Sequence, residues 1–313
     1  FLISQALNAG VKIYMSPHGN DGNTGSIHQP LATFEGARNK IRELRLKEQI
    51  IDTIFVEVQS GTYYITHAFA LTEKDSGTPQ TVVVFRGNEN DRPLVCGGKK
   101  TNRFEEVTPN LWRVYIPEVA DLGFYFEQLY INGERRIRAR TPNGEDLLHL
   151  KRVNEIILDT TRQNYIAAFA AQKVIVNTEE WQTLKDMEKE EWNDILISFY
   201  HKWEYTPRHI QQVNVTDSAI YVTGNGIFVH NKLNQDSRYR IENYRNALDQ
   251  PGEWFLQRDG YLYYIPMPGE TIKNTQCIYP ISNRLLTIAG KRGNEVSPVQ
   301  FRNIRFETEA NKK

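Results

Sequence analysis

Hydrophobic and polar residues alternate with a period of two along much of this chain, and that period predicts β-strands rather than helices. The first alternating runs are Thr53 to Gln59, Tyr63 to Ile65, Ala68 to Leu71, Thr81 to Arg86 and Pro93 to Cys96. Short strands without interleaved helices are typical of a sandwich, a barrel or a β-solenoid. Because the runs are unevenly spaced, like coils of variable length, the sequence favours a right-handed parallel β-helix.

Two segments show the spacing of an amphipathic helix instead. The first apolar stripe consists of Phe34, Ala37, Ile41 and Leu44, with Thr33 placed to cap the first turn. The second runs from Glu179 to about Lys189, with Trp181, Leu184 and Met187 as its stripe and Asn177 and Glu180 as a capping box. The first helix is expected to cover the end of the first β-helix coil, and the second stripe is expected to be core.

The pattern changes near Trp112, where antiparallel signals begin. Asn132-Gly133 and Asp259-Gly260 each lie between alternating runs, and both dipeptides are strong signals for a two-residue hairpin turn. Short β runs return near Cys277. The sequence therefore predicts a mainly β chain in three parts: residues 1–108 as the capping helix and first β-helix coils, 109–275 as an inserted β-sandwich-like domain with one helix, and 276–313 as a return to the β-helix.

The loop PHGNDGNTGS precedes the first helix and is rich in residues that bind ligands elsewhere. It lacks the lysine and the glycine spacing of a phosphate-binding loop. Asp21, Asn20, Asn23 and Thr24 offer oxygen atoms for calcium, but not in the alternating pattern of an EF-hand. Glycine and asparagine supply the left-handed conformations of tight turns, so a turn-building role is favoured.

Composition narrows the classes of function. With 38 basic and 38 acidic residues the formal net charge is zero, which argues against nucleic acid as a partner. No apolar run approaches the roughly 20 residues that span a bilayer. Seven scattered histidines and two cysteines show no metal-ligand spacing. No metal or cofactor is therefore predicted, and the cysteines are interpreted as small buried apolar residues.

The segment SFYHKWEYTPRHI, residues 198–210, is a candidate carbohydrate site. On a continuous strand, His201, Trp203 and Tyr205 would share one face and Glu204 would lie on the other. Aromatic rings beside polar groups can stack on a sugar ring and bond its hydroxyls. The alternative is an inward aromatic row of a sandwich, with the histidine satisfied by backbone groups.

The segment RIRARTPNGE, residues 136–145, offers a second group of binding candidates. Arg138 and Arg140 could make bidentate contacts with an acidic sugar, with Asn143 nearby. The alternative is that these arginines form structural salt bridges with nearby carboxylates. A glycosidase would also need two carboxylic acids, and spacing alone selects no pair among 38 acidic residues.

Several stretches together resemble a known family. The opening IYMSPHGNDGNTGSIHQPLATFEGARNKIR is similar to the first segment of secreted right-handed parallel β-helix proteins, except for Ser26, where threonine is usual. In order along the chain there follow SGTYYI, ALTEKDSGT, QLYINGERRIRARTPNGE, FYHKW, ALDQPGEWFLQRDGYLYYIPMPGE, PISNRLLTIAG and VQFRNIRFE. Together they resemble the N-terminal half of glycoside hydrolase family 141, bacterial enzymes with α-L-fucosidase and xylanase activities on plant cell-wall polysaccharides.

The resemblance implies a β-helix with a sandwich-like insertion, a polysaccharide or oligosaccharide ligand, and a secreted, periplasmic or cell-surface location. Family members continue well beyond FRNIRFE through the coils that carry the catalytic carboxylates. The resemblance therefore assigns no catalytic residue to this chain, which is expected to be inactive by itself. An open last coil would also favour self-association. Two alternatives remain: a polysaccharide lyase on the same scaffold and a non-catalytic carbohydrate-binding module.

Overall fold

A computed structural model of the protein describes residues 10–47, 52–78, 81–163, 166–185, 187 and 189–308. The chain divides into two compact units. Unit 1 contains residues 1–100 and 278–313, and unit 2 contains residues 101–277. In the described part of the chain, no helix is both long and apolar enough to span a membrane.

The strands of unit 1 come from both ends of the chain. Along residues 10–100 they are β1 (Val11–Met15), β2 (Ile54–Val58), β3 (Thr62–Tyr64), β4 (Phe69–Thr72), β5 (Val83–Gly87), β6 (Leu94–Cys96) and β7 (Gly98–Thr101). The segment also holds helix α1 (Phe34–Lys47) and a 3-10 turn at Glu73–Asp75.

Unit 2 carries most of the strands. In chain order they are β8 (Glu105–Thr108), β9 (Leu111–Tyr115), β10 (Leu129–Ile131), β11 (Glu134–Arg138), β12 (Arg140–Thr141), β13 (Leu148–His149), β14 (Arg152–Gln163), β15 (Ile166–Ile175), β16 (Leu196–Tyr200), β17 (Tyr205–Asn214), β18 (Ala219–Gly224), β19 (Arg238–Glu242), β20 (Glu253–Leu256) and β21 (Tyr261–Tyr264). Its helices are α2 (Pro117–Leu122), α3 (Thr178–Lys185) and α4 (Lys189–Trp192), with 3-10 turns at Val229–Asn231 and Arg245–Ala247. The last strands of the chain are β22 (Cys277–Pro280), β23 (Leu286–Ala289), β24 (Val299–Arg302) and β25 (Arg305–Glu307).

Three small parallel sheets enclose the core of unit 1. Their strand orders are β1-β2-β5-β24, β25-β6-β3 and β23-β4. Alternate residues of each strand point inward, as Ile54, Val56 and Val58 do on β2. Phe85 stacks on Phe301 with ring centroids 5.1 Å apart. This apolar interior explains the period-two pattern of the first part of the sequence.

Helix α1 confirms the first predicted helix and buries Phe34, Ala37 and Ile41 against the same core. The Asp21 carboxylate fixes the chain where the helix begins. It accepts hydrogen bonds from the backbone N–H groups of Ala32 and Thr33 at 2.8 and 2.9 Å, and from the Thr33 hydroxyl at 2.6 Å. The Thr33 hydroxyl in turn caps the backbone N–H of Gly36 at 2.9 Å. The glycine-rich loop thus builds the entry to α1.

Unit 2 contains two larger sheets with mostly antiparallel pairing. One holds the order β10-β11-β20-β21-β9-β8, in which only the β11–β20 pair is parallel. The other has the order β12-β19-β16-β17-β18-β15-β14, with β13 also pairing β19, and is antiparallel throughout. Both predicted hairpins are confirmed: Asn132-Gly133 joins β10 to β11, and Asp259-Gly260 joins β20 to β21.

The mainly β prediction is confirmed, but the prediction of a right-handed parallel β-helix is wrong. The small sheets of unit 1 and the β11–β20 pair of unit 2 are parallel, whereas the two largest sheets are antiparallel or mixed. Tight turns reverse the chain direction, so strands joined by them, such as β10–β11 and β20–β21, pair antiparallel. A period of two is common to both kinds of pairing and could not separate them.

The second predicted helix is present as two shorter helices, α3 and α4; residues 186 and 188, between them, lie outside the described residues. Trp181 and Leu184 are buried in the core of unit 2, and Met187 packs against it. The core interpretation of this stripe is therefore confirmed. Cys96 and Cys277 are both buried and free, as the sequence indicated.

Candidate functional site

One face of the antiparallel sheet of unit 2 carries polar and aromatic side chains. Ser198 on β16 lies opposite Pro207 and Arg240, and Tyr200 lies opposite Tyr205 and Arg238. Arg140 on β12 lies opposite Glu242 on β19. Side chains opposite each other in register project from the same face of a sheet. We call this surface the polar face; it consists of Arg140, Ser198, Tyr200, Tyr205, Arg238, Arg240 and Glu242.

The reverse face of the same strands explains why the polar face points away from the core. Ile197 and Phe199 on β16 and Tyr239 and Ile241 on β19 are buried in the main hydrophobic cluster of unit 2. Successive residues of a strand point to opposite faces, so their neighbours in sequence lie on the other face of the sheet, where Ser198 and Arg240 are also buried and Arg238 is exposed. The strand segment RYRIE, residues 238–242, shows this alternation most clearly.

A chain of hydrogen bonds crosses the polar face. The Ser198 hydroxyl lies 2.9 Å from the Tyr205 hydroxyl and donates to Glu242 Oε2 at 3.2 Å. The rings of Tyr200 and Tyr205 are 5.3 Å apart at 56°. Burial raises the pKa of both tyrosines, so both hydroxyls stay protonated at neutral pH and can donate. The face therefore offers two tyrosine side chains and a carboxylate that are at least partly exposed, whereas the Ser198 hydroxyl between them is buried.

The predicted candidates His201, Trp203 and Glu204 lie in a turn rather than on a strand. The turn joins β16 to β17, with the His201 N–H donating to the Glu204 carbonyl at 2.8 Å. The expectation that His201, Trp203 and Tyr205 share one strand face is therefore wrong. Reversal of the chain at this point releases Trp203 into solvent, where 68% of its surface is exposed.

Buried Asn231 holds this turn in place. Its backbone carbonyl lies 2.7 Å from His201 Nδ1, and its side-chain oxygen accepts the N–H of Lys202 at 3.2 Å. Its side-chain nitrogen donates to Glu204 Oε2 at 3.1 Å. The three bonds order the loop beneath an exposed tryptophan, so Trp203 is carried by a fixed support. The same contacts give His201 and Glu204 structural partners.

The structure places Arg138 and Arg140 in different sheets with different partners. Arg138 approaches Glu127 Oε2 at 3.5 Å and lies 5.7 Å from the centre of the Trp254 ring. Arg140 donates to the Gly144 carbonyl at 3.2 Å. Arg138 thus has the salt bridge that the structural alternative anticipated, whereas Arg140 belongs to the polar face.

Asn143, the remaining predicted candidate, lies in the loop after β12. Its side-chain nitrogen donates to Asp249 Oδ1 at 2.8 Å. This contact ties two loops of unit 2 together. In the described ranges, no group of three or more histidine, cysteine, aspartate or glutamate side chains is arranged to hold a metal ion.

Sequence reasoning missed most members of the polar face: Ser198, Tyr200, Arg238, Arg240 and Glu242. The alternation of RYRIE was a usable signal for β19, because charged residues at every second position predict a solvated or ligand-facing side. The signal could not say that β19 lies beside β16. That pairing joins residues 38 to 46 positions apart in the sequence, from Tyr200 with Arg238 to Leu196 with Glu242.

The fold is similar to that of a solved structure. The chain aligns with a structure titled "Glycoside hydrolase" at a TM-score of 0.76 and 23% identity, over 96% of this chain and 51% of the other. The chain is also similar in sequence to the uncharacterized protein YwoF of Bacillus subtilis (strain 168), with 29% identity over 127 residues. The aligned region covers 40% of this chain and 24% of YwoF. No family model matches. The chain thus spans about half the length of the solved structure and aligns with about a quarter of YwoF.

Proposed function

We propose that this chain is part of a glycoside hydrolase-like protein and that its polar face binds a glycan. The observation that carries the proposal is the combination of the Tyr200 and Tyr205 rings and the Glu242 carboxylate on one side of the sheet, all at least partly exposed. The buried Ser198 hydroxyl holds Tyr205 and Glu242 together. Such groups match the alternating apolar and hydroxyl-bearing surfaces of a sugar ring. The fold shared with the solved glycoside hydrolase supports this reading.

We further propose a plant cell-wall or similar polysaccharide as the substrate, as in the α-L-fucosidases and xylanases of glycoside hydrolase family 141, and a secreted, periplasmic or cell-surface location. The motif resemblance supports these finer points. Hydrolysis of a glycosidic bond requires two carboxylic acids. Glu242 is the carboxylate that the polar face presents, so this chain's part in the reaction would be to hold the glycan.

Trp203 extends the proposed site. It lies in the turn between Tyr200 and Tyr205, and its ring is largely exposed on a support fixed by Asn231. An exposed aromatic ring on a fixed loop can stack on a sugar with little loss of conformational freedom. The proposal therefore includes Trp203 as a stacking platform beside the polar face.

The test is a titration of the protein with soluble xylo-oligosaccharides and pectic oligosaccharides. Trp203→Ala is expected to weaken binding about tenfold, the effect of losing an aromatic contact worth roughly 1 to 2 kcal/mol. The melting temperature should not change, because Trp203 is exposed. Tyr64→Ala is the matched control, since Tyr64 is 49% exposed and lies in unit 1. Unchanged binding by Trp203→Ala would remove Trp203 from the site, and absence of glycan binding by the wild type would overturn the proposal.

An assay for reducing sugar released from the same oligosaccharides distinguishes a catalytic from a non-catalytic role. The exposure of Trp203 favours the non-catalytic module as a second candidate, because binding modules present aromatic rings at their surface. Reducing sugar released by the chain and lost in Glu242→Gln would assign hydrolysis to the polar face. Binding without any release would favour the module.

A further inference from the structure

Two arginines of the polar face converge on one carbonyl oxygen. Arg140 Nη2 donates to the Gly144 carbonyl at 3.2 Å, and Arg240 Nη2 donates to the same oxygen at 2.7 Å. Arg240 also donates to the Asp146 carbonyl at 3.1 Å. We call these two side chains the arginine pair. Two guanidinium groups that share an acceptor lie side by side, and their like charges repel each other.

The arginine pair lacks a close counter-charge. Within the described ranges, no carboxylate oxygen lies within 4.0 Å of a nitrogen of either arginine. Glu242 lies opposite Arg140 in register, but the Glu242 carboxylate accepts a hydrogen bond from the Ser198 hydroxyl. Glu253 is buried, and one of its oxygens accepts the backbone N–H groups of Asp249 and Gln250 at 3.1 Å. Both acidic groups therefore have other hydrogen-bond partners, although the charge of Arg140 opposes the rise that burial causes in the pKa of Glu253.

The arginine pair is also poorly satisfied. Arg240 is only 7% exposed, and the Nε groups of both arginines are buried with no hydrogen-bond partner. A buried donor without a partner is unfavourable, and more so when it is charged. The Nε groups of Arg136, Arg138 and Arg208 are unpaired in the same way, so what sets Arg140 and Arg240 apart is that both donate to the Gly144 carbonyl.

The surroundings of the arginine pair fit a sugar. Tyr200 lies on the same face, and the charges of Arg240, Arg140 and Arg238 oppose the rise that burial causes in the pKa of its hydroxyl. Arg238 is the next outward residue on β19 and is exposed. The Glu242 charge acts on Tyr200 in the opposite sense, so three arginines and one carboxylate lie near this hydroxyl. Arginine binds planar anionic groups in bidentate geometry.

We infer that the arginine pair, with Arg238 and Tyr200, forms a subsite for an anionic group carried by a sugar, either a uronic acid carboxylate or a sulfate ester. This inference rests on the proposed glycan-binding function and narrows it to acidic glycans. The anionic group pairs with Arg140 and Arg240, neither of which forms a salt bridge with Glu242 on the same face of the described sheet, and Tyr200 contacts the ring that carries the anionic group. Arg140, which is half-buried, reaches the ligand directly, and buried Arg240 reinforces the positive field behind it.

The experiment compares three probes of the same size: trigalacturonate, galactotriose and a sulfated galactotriose. The wild type is expected to bind at least one anionic probe about tenfold or more tightly than galactotriose, as charge-assisted hydrogen bonds predict. The preference should shrink as salt rises from about 20 to about 300 mM, because partly exposed charges are screened. The preferred anionic probe identifies the carboxylate or the sulfate as the source.

Variants separate the arginine pair from general charge effects. Arg140→Gln is expected to lower the affinity for the anionic probe about tenfold and to leave galactotriose binding unchanged. Arg140→Lys keeps the positive charge and should retain part of the preference for the anionic probe. This variant keeps the test valid if Arg140→Gln fails to fold. Arg135→Gln is the matched control, because Arg135 is an exposed arginine on β11, outside the polar face.

The possible results test the acidic subsite separately from glycan binding by the polar face. Equal affinity for anionic and neutral probes would overturn the acidic subsite while glycan binding stands. An anionic preference that persists in Arg140→Gln would show that the pair only holds the Gly144 loop, and would also overturn the inference. Failure to bind any of the three probes, or any neutral oligosaccharide, would overturn the proposed function itself.

Discussion

At the scale of single residues, Asn243 shows how one side chain can organise unit 2. It is fully buried, and its backbone has a left-handed φ of 63°, a conformation that asparagine tolerates better than most residues. Its side-chain nitrogen donates to the carbonyls of Asp194 and Leu256 at 2.9 and 3.0 Å, and its oxygen accepts the N–H of Leu256 at 3.0 Å. Three backbone groups that would otherwise be buried without partners are satisfied by one amide.

Asp194, which this network holds in place, predicts a pH dependence of stability. Burial raises its pKa to about 6, although the Arg258 guanidinium 2.8 Å away opposes the rise. The unfolded value is about 3.9, so the folded state binds the proton more tightly. The contribution of protonated Asp194 to the free energy of unfolding is complete below about pH 4. It is lost as pH rises through about 6, a loss on the order of 2 kcal/mol.

The measurement is urea unfolding of the wild type and Asp194→Asn between about pH 4 and pH 7.5. The difference in free energy of unfolding between the two proteins is expected to move in favour of the variant as pH rises. Only this difference is informative, because other groups also titrate in the range. Parallel curves for the two proteins would contradict the raised pKa.

At the scale of elements, the entry to α1 depends on a close approach between Gly36 and Asp21. A Cβ atom at position 36 would overlap the Asp21 carboxylate, the group that holds Ala32 and Thr33. Helix propensity alone favours alanine over glycine by about 1 kcal/mol. The contact with Asp21 is expected to outweigh that preference, because the carboxylate is fixed by three hydrogen bonds.

Gly36→Ala is therefore predicted to destabilise unit 1 by about 1 to 3 kcal/mol in chemical denaturation. Asn39→Ala, on the exposed surface of the same helix, is the control and should be neutral or slightly stabilising. In an Asp21→Ala background the cost of Gly36→Ala should disappear, since the overlapping group is gone. A stabilised Gly36→Ala single variant would show that the close approach is not limiting.

At the scale of the whole molecule, each unit has its own hydrophobic core. The cluster around Phe34, Phe69 and Phe85 consists of residues of unit 1, and the cluster around Phe199, Tyr239 and Ile241 consists of residues of unit 2. The two clusters share no residue. Cooperative opening is expected to follow such units.

Phe85→Ala is predicted to destabilise unit 1 by about 3 to 5 kcal/mol, the usual cost of truncating a buried phenylalanine. Hydrogen exchange measured by mass spectrometry should show lost protection in β1, β2, β5 and β24, with unit 2 peptides little changed. Phe199→Ala is the matched variant and should give the opposite distribution. Equal loss of protection in both units from either variant would show that they unfold together.

The sequence by itself determined the features that depend on neighbours along the chain. The spacing of Phe34, Ala37 and Ile41 specifies α1, and the dipeptides Asn132-Gly133 and Asp259-Gly260 specify two hairpins. The balance of charges and the mainly β character also follow from composition and period. These predictions succeeded because helix stripes and tight turns are set within a few residues.

Only the tertiary structure decided which strands lie side by side and in which direction. A period of two assigns residues to two faces, but parallel and antiparallel neighbours have the same period, so the β-helix prediction failed where unit 2 pairs antiparallel. The polar face joins Arg140, Ser198 and Glu242 from three strands distant in the chain. Their meeting depends on long-range register, which the local pattern leaves open.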